Sequence, residues 1–180
     1  HLGFDLAGKT LGIVGYGRIG RMIAKKASAF DMKIIAYTPS NRSDGNAEMV
    51  DRDTVFKEAD IISLNMRVTP ETTRSVGQRE FDMKDSAVLL NFGRAALVDQ
   101  AAMQTALKTG SIAAAAVDVF DQEPLPKDDP WFSTPNVLLT PHCAGNTKEC
   151  MDRMAVDAAS EVVRVLNGEK PLWSVNQPEH

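Results

Sequence analysis

Four side chains in the second half of the sequence, Arg94, Asp118, Glu123 and His142, could together hold an anion and move a proton. The chain has three histidines, and His1 and His180 are its ends. His142 is therefore the internal imidazole, the obvious group for proton transfer near neutral pH. A carboxylate such as Glu123 beside it would favour the imidazolium. Arg94 offers a planar fork that matches a ligand carboxylate. Taken singly, each has an ordinary reading: a loop histidine bonding backbone, a solvated carboxylate, an arginine capping a strand end. Taken in order they share a position. Arg94 follows the apolar run 87–91, Asp118 ends 114–117 with Glu123 in the loop beyond, and His142 follows 137–140. Ligands of open α/β sheets bind outside the carboxyl ends of strands, where all four would lie.

Gly15-Tyr16-Gly17-Arg18-Ile19-Gly20 fits GxGxxG and follows the apolar run Leu11–Val14. It opens a segment with Ile19, Met22, Ile23 and Ala27 at one-face helical spacing. In that context Gly15 permits a tight turn, Gly17 admits a pyrophosphate and Gly20 lets the helix pack on the sheet. The helix N-terminus, with Arg18 and Ile19, would present N–H groups to the phosphates. The fingerprint also expects an acid about 20 residues on, holding the adenosine ribose. This chain has Thr38 there, then Pro39-Ser40-Asn41-Arg42-Ser43. A carboxylate would repel a ribose 2′-phosphate. Thr38, Ser40, Asn41 and Arg42 remove that repulsion and supply donors. The expected cofactor is NAD or NADP, with NADP favoured. The ordinary alternative is a solvated turn that happens to hold Arg42.

The elements that position these groups alternate. Strand character falls at Thr10–Val14, Lys33–Tyr37, Ile61–Asn65, Ala87–Asn91, Ala114–Val117 and Val137–Thr140. Helical spacing falls at Arg18–Phe30, Asp51–Ala59, Asp99–Lys108 and Lys148–Asn167, with a short helix at Gln78–Met83. Near-continuous apolar strands between helices predict an α/β, doubly wound parallel sheet. Asp51 can cap one helix, and Gly110 and Gly168 can end two others. The loop Glu123–Pro135 should be ordered, anchored by Trp131 and Phe132.

With 180 residues, 43% hydrophobic and 24% charged, the chain matches ordinary globular usage and one domain. A net charge of -4 with no Lys/Arg run argues against nucleic acid or an anionic membrane as partner. Apolar runs such as Ile112–Val117 fall far short of the roughly 20 residues that span a bilayer. No signal-peptide pattern opens the chain. Cys143 and Cys150 lack further metal-ligand neighbours, so no metal site is expected, and a reduced, cytoplasmic protein is.

Four segments resemble the cofactor-binding domain of the D-isomer-specific 2-hydroxyacid dehydrogenases, a group that includes D-3-phosphoglycerate and glyoxylate/hydroxypyruvate reductases. They are Gly12-Ile13-Val14-Gly15-Tyr16-Gly17-Arg18-Ile19-Gly20, Asn91-Phe92-Gly93-Arg94-Ala95-Ala96-Leu97-Val98-Asp99, Ala116-Val117-Asp118-Val119-Phe120-Asp121-Gln122-Glu123-Pro124-Leu125 and Thr140-Pro141-His142. The resemblance implies a Rossmann-type domain and hydride transfer to a small 2-keto acid or from its D-2-hydroxy acid. By it, Arg94 binds and polarises the keto acid, His142 donates the proton and Glu123 pairs with His142. Asp118 meets the nicotinamide end, and Phe92, Gly93, His142 and Gly145 line the cofactor. It further implies a homodimer. Three positions depart from the family pattern: Thr38 for an acid, Ala95 for glycine and Arg67 for proline. Family members carry a second, substrate domain, which these 180 residues do not resemble. The expectation is a cofactor domain over 1–180, with 170–180 a hinge towards that missing domain and little turnover by the chain alone. The co-repressors of the C-terminal-binding-protein type resemble the same family, so a nucleotide-sensing interaction module without turnover is the alternative. A nucleotide-binding methyltransferase is a weaker one, having no need of Arg94, Glu123 and His142 together.

Overall fold

The computed structural model describes residues 3–40 and 42–174. The chain divides into two compact units, one ending at His142 and one starting at Cys143.

The first unit is a parallel sheet flanked by helices. Its strands are β1 (Thr10–Val14), β2 (Lys33–Tyr37), β3 (Glu48–Met49), β4 (Ile61–Leu64), β5 (Val88–Asn91), β6 (Ala114–Val117) and β7 (Val137–Leu139). Their spatial order is β3-β2-β1-β4-β5-β6-β7. Its helices are α1 (Arg18–Ala27), α2 (Arg52–Glu58), α3 (Gln78–Phe81) and α4 (Gln100–Thr109). The expected doubly wound parallel sheet is present, with the strand order reversing at β1.

Register explains where function can sit. Val14 lies opposite Tyr37 on β2 and Leu64 on β4. Leu64 lies opposite Asn91, Asn91 opposite Val117 and Val117 opposite Leu139. The last residues of six strands therefore form one row. The residues that follow them, Gly15, Thr38, Asn65, Phe92, Asp118 and Thr140, emerge along one edge.

The two faces of the sheet carry separate cores, as a two-face-covered sheet requires. One packs Leu11, Ile13, Tyr16, Ala24, Ala27, Ile34, Ala36 and Ile61 on the α1 side. The other packs Val14, Ile35, Ile62 and Leu64 with Val55 and Phe56 of α2, Phe81 of α3 and Met103 of α4. The absence of a side chain at Gly12 sets the α2 approach. A Cβ there would stand 2.6 Å from Val55 Cγ1 and 2.7 Å from Ala59 Cβ. The expected caps form. Asp51 accepts from Thr54 N at 2.9 Å, and Gly110 ends α4 at φ 76°.

Several expectations need correction. Ser28–Phe30 is a 3₁₀ turn rather than a continuation of α1, and α3 is shorter than expected. β3 was not foreseen, nor were the 3₁₀ turns Ala95–Leu97 and Pro130–Ser133. On α1, Ile19 and Met22 are 66% and 60% exposed. The buried face runs through Gly20, Ala24 and Ala27, because Gly20 brings that side of the helix against the sheet. In the loop before β7, Trp131 is the anchor. It is buried, its Nε1 donates to Gln100 Oε1 at 2.9 Å, and it packs edge-on to Phe120. Phe132 anchors nothing and is 62% exposed.

The second unit is built on α5 (Lys148–Leu166), capped by Thr147, whose hydroxyl accepts from Cys150 N at 3.1 Å. Gly168 follows the helix at φ 78°. Beyond it, Leu172 N and Trp173 N both donate to Glu161 Oε2. Of the segment 170–180 read as a hinge, 175–180 lie outside the described residues, as do His1, His180 and Asn41. Among the described residues no helix is long and apolar enough to cross a membrane.

Candidate active site

The glycine loop leaves β1 at the reversal in strand order. Gly15 adopts φ 100°, where a side chain would be strained, and a Cβ there would lie 2.6 Å from the Asn65 backbone carbon. Gly15 N donates to Tyr37 O at 2.8 Å, tying the loop to the end of β2. Gly20 packs as its place in the motif requires: a Cβ would meet Gly15 O at 2.6 Å and Ile13 Cγ2 at 3.0 Å. The space over Gly17 is open, and no side chain caps the helix N-terminus there. An open backbone approach at an uncapped helix N-terminus fits the pyrophosphate of a dinucleotide.

Beside it lies a cleft of about 670 Å³ lined by Gly15, Gly17, Thr38, Asn65, Met66 and Arg67, among others. Ser40 and Arg42 are exposed and stand outside its lining. Arg52, which sequence reasoning missed, also lines it. Its guanidinium donates to Ser75 O and to Glu80 Oε1, the latter at 2.7 Å. Glu80 is buried, and its carboxyl lies below the usual range: burial pushes it up, but Arg52 and the Gly77 N–H pull it down further.

Further along the edge the chain turns sharply after β5. Asn91 is buried, and its side chain brackets the turn. Nδ2 donates to Arg94 O at 3.1 Å, and Oδ1 accepts from Gly93 N at 3.2 Å. Gly93 passes close to β4, where a Cβ would lie 3.2 Å from Leu64 O. Phe92 is exposed and so is Arg94, whose Nη1 donates to Gly93 O at 2.8 Å.

Asp118 is buried at the end of β6, and its Oδ1 accepts from Thr140 Oγ1 at 2.6 Å. That bond fixes β7's exit next to β6. Two residues later His142 adopts φ 51°, a left-handed conformation costing about 1–2 kcal/mol in a non-glycine residue. The turn aims its ring at Glu123. His142 Nδ1 and Glu123 Oε2 are 2.7 Å apart, with the side chains 50% and 36% exposed. Glu123 Oε1 accepts from Phe120 N at 2.8 Å. These two bonds, the histidine's first, hold the Glu123 carboxyl below the usual range. Arg94, Phe120, Glu123 and His142 share the lining of one cleft of about 420 Å³. A second, more apolar cleft of about 480 Å³ lies against the other side of the pair, between Phe120, Leu125, Phe132 and Leu139.

The structure thus brings Arg94, Glu123 and His142 together and places Gly15, Gly17 and Thr38 at another cleft of the same edge. Gly145 belongs to the second unit and Asn41 lies outside the described residues. Asn91 and Thr140 were quoted in motifs without a role, since their work is to hold turns. Among the described residues no three His, Cys, Asp or Glu side chains are grouped to hold a metal.

Comparison with known proteins identifies the family. Residues 1–144 match the D-isomer specific 2-hydroxyacid dehydrogenase, NAD binding domain. A glyoxylate reductase of Thermococcus litoralis is 44% identical over 98% of this chain and 54% of its own length. The NAD-complexed D-isomer specific 2-hydroxyacid dehydrogenase of Lactobacillus delbrueckii ssp. bulgaricus superposes with a TM-score of 0.86 at 31% identity, covering 97% of this chain and 58% of its own. An acyclic imino acid reductase in complex with NADPH and D-Arg gives 0.87 at 31% identity, covering 95% and 55%. The chain spans about half the length of the curated glyoxylate reductases it matches. It belongs to the D-isomer specific 2-hydroxyacid dehydrogenase family, as that family's NAD-binding domain.

Proposed function

We propose that the protein carrying these residues passes hydride between a nicotinamide dinucleotide and a small D-2-hydroxy acid or 2-keto acid. The observation that carries this is the His142–Glu123 pair, 2.7 Å apart, sharing one cleft with the guanidinium of Arg94. When bound, the nicotinamide supplies or accepts the hydride. Arg94 holds the acid's carboxylate and polarises its keto oxygen. Glu123 occupies Nδ1 of His142, which leaves Nε2 to give the keto oxygen its proton in reduction and to take one in oxidation. Gly15, Gly17, Arg18, Ile19 and Gly20 hold the pyrophosphate. By the family resemblance, Asp118, Phe92 and Gly93 would line the nicotinamide half, and Gly145 would contact the cofactor as well.

The cofactor reading favours NADP. Thr38 lines the cleft without the acid that would repel a 2′-phosphate, and Arg42, exposed four residues on, would supply a donor to it. The wider reading is a cofactor domain over 1–180, with 170–180 leading to a substrate domain, working as a homodimer in the cytoplasm. What supports the further domain is that the chain covers about half the length of the glyoxylate reductases it matches, and what supports the reducing compartment is that Cys143 and Cys150 are not joined in a disulfide.

A panel of 2-keto acids offered to the full-length protein with NADH and NADPH tests the activity. Turnover of at least one, lost in Arg94→Lys, is expected. No turnover of any would leave a nucleotide-sensing module instead. Arg42→Ala should weaken NADP by about 1–3 kcal/mol and leave NAD unchanged. Equal effects on both would refute the role given to Arg42.

A further inference from the structure

The segment between β2 and β3 carries Thr38, Ser40 and Arg42, and from Pro39 to Gly45 every described residue is exposed. What holds it is local. Asp44 Oδ1 accepts from Asn46 N at 3.1 Å. Ser43 Oγ accepts from Gly45 N at 3.1 Å and donates to Ala47 O at 3.3 Å, around Gly45 at φ 84°. Residues 43–47 are thus a self-bonded turn. One side-chain bond ties that turn to the glycine loop: Tyr16 Oη donates to Asp44 Oδ1 at 2.7 Å.

Tyr16 is well placed to act as an anchor. It stands between the first two glycines of the phosphate-binding turn. It is only 2% exposed and packs in the α1-side core with Ile13, Ala24 and Ala36. The Arg21 guanidinium lies over its ring, 5.8 Å from the centroid. The ring is fixed by packing, and its hydroxyl emerges at the loop. We propose that Tyr16 is a positioning residue for cofactor choice: its bond to Asp44 holds the β2–β3 segment in the shape that presents Thr38, Ser40 and Arg42 to the ribose end of the dinucleotide. This rests on the reading of that segment as the 2′-phosphate site. Burial first, and then Asp44, push the Tyr16 hydroxyl up to about 12, while Tyr16 is the main cause holding Asp44 below the usual carboxylate range. The donor and acceptor forms therefore coexist across neutral pH, so the latch is constitutive rather than a pH switch.

The energetic consequence is a population effect. A segment that is competent only part of the time binds its ligand more weakly by that fraction. A hydrogen bond to a carboxylate is strong enough that its loss could lower the competent fraction about tenfold. NADPH, which contacts the segment through its 2′-phosphate, feels that loss. NADH, held mainly by the glycine loop, does not.

The test uses Tyr16→Phe in the intact protein, since phenylalanine keeps the ring in its core position. Two readouts are taken: the rate of tryptic cleavage after Arg42, located by mass spectrometry, and the dissociation constants of NADPH and NADH by calorimetry. Cleavage should rise about tenfold, NADPH should weaken about tenfold, and NADH should change less than twofold. Asp44→Asn keeps a carbonyl acceptor for both donors and should stay near wild type in both readouts, whereas Asp44→Ala should match Tyr16→Phe. Unchanged cleavage in Tyr16→Phe overturns the latch. Faster cleavage with both cofactors equally affected overturns its role in selection. Arg42→Ala controls for the underlying reading: if it weakens both cofactors alike, the 2′-phosphate site is refuted, while the cleavage result still decides the latch.

Discussion

Glu123 keeps its charge well into acid because both its oxygens are engaged, one by His142 and one by the Phe120 N–H. On the proposed function, the same carboxylate holds the His142 ring in place through Nδ1. Glu123→Gln should therefore lower kcat for keto-acid reduction, leaving the cofactor dissociation constant unchanged. An unchanged kcat would remove Glu123 from the positioning of His142. His142→Ala should cost more, about 10²–10⁴-fold in kcat, the usual contribution of a positioned general acid. Steady-state kinetics measures both. These residues were readable from sequence because their chemistry is carried by type and by place after an apolar run. Asn91 and Thr140 were not. An asparagine that brackets a turn and a threonine that bonds a buried aspartate look like any polar residue until the turn is folded.

The elements were legible where hydrophobic period was strong, and poorly legible where a contact decides. β1, β2 and β6 lie where their apolar runs put them, because strands covered on both faces show little but apolar side chains. β3 is two residues, Glu48–Met49, too short to have a period at all. The α1 stripe was misread for another reason: Gly20 selects which side of the helix meets the sheet, and Ile19 and Met22 fall off that side. Gly12 gives a test at this scale. Glycine in a strand ordinarily loses about 0.5–1 kcal/mol to alanine's better propensity, so Gly12→Ala should help if only the strand mattered. Here the new Cβ would meet Val55 Cγ1 at 2.6 Å and Ala59 Cβ at 2.7 Å, both fully buried. Valine in a helix has essentially one rotamer, and Ala59 cannot retreat without α2. Overpacking, about 1–3 kcal/mol, should win. The variant should lose about 1–2 kcal/mol in a urea titration on balance of those two terms. A gain would show that α2 slides freely on β1.

At the scale of the molecule, the glycine loop and the His142–Glu123 pair raise different questions. The glycine loop is complete in these 180 residues, whereas the histidine and glutamate side chains are 50% and 36% exposed. Charge interactions in water are several-fold weaker than in an enclosed site, and positioning can account for about 7–11 kcal/mol of a barrier. The 180-residue chain by itself should bind a nicotinamide dinucleotide in a calorimetric titration. It should turn over keto acids orders of magnitude more slowly than a version extended to the length of its relatives. Equal kcat in the two at matched cofactor saturation would mean that the exposed cleft needs no cover.

The strand order also separates two properties that an engineer would wish to change one at a time. On the proposed function, the ribose end of the cofactor would be read beyond β2, and the proton handled beyond β7. Between β2 and β7 lie β1, β4, β5 and β6. Five spacings of about 4.8 Å put the two ends about 24 Å apart. Substitutions that far apart, with no shared partner, usually combine within about 0.5 kcal/mol. A double-mutant cycle between Thr38→Asp and Glu123→Gln, followed in kcat/KM, should close to that tolerance. Cofactor preference could then be rewritten on this sheet while the proton-donating pair is tuned separately, with no need to search the two sets of changes in combination.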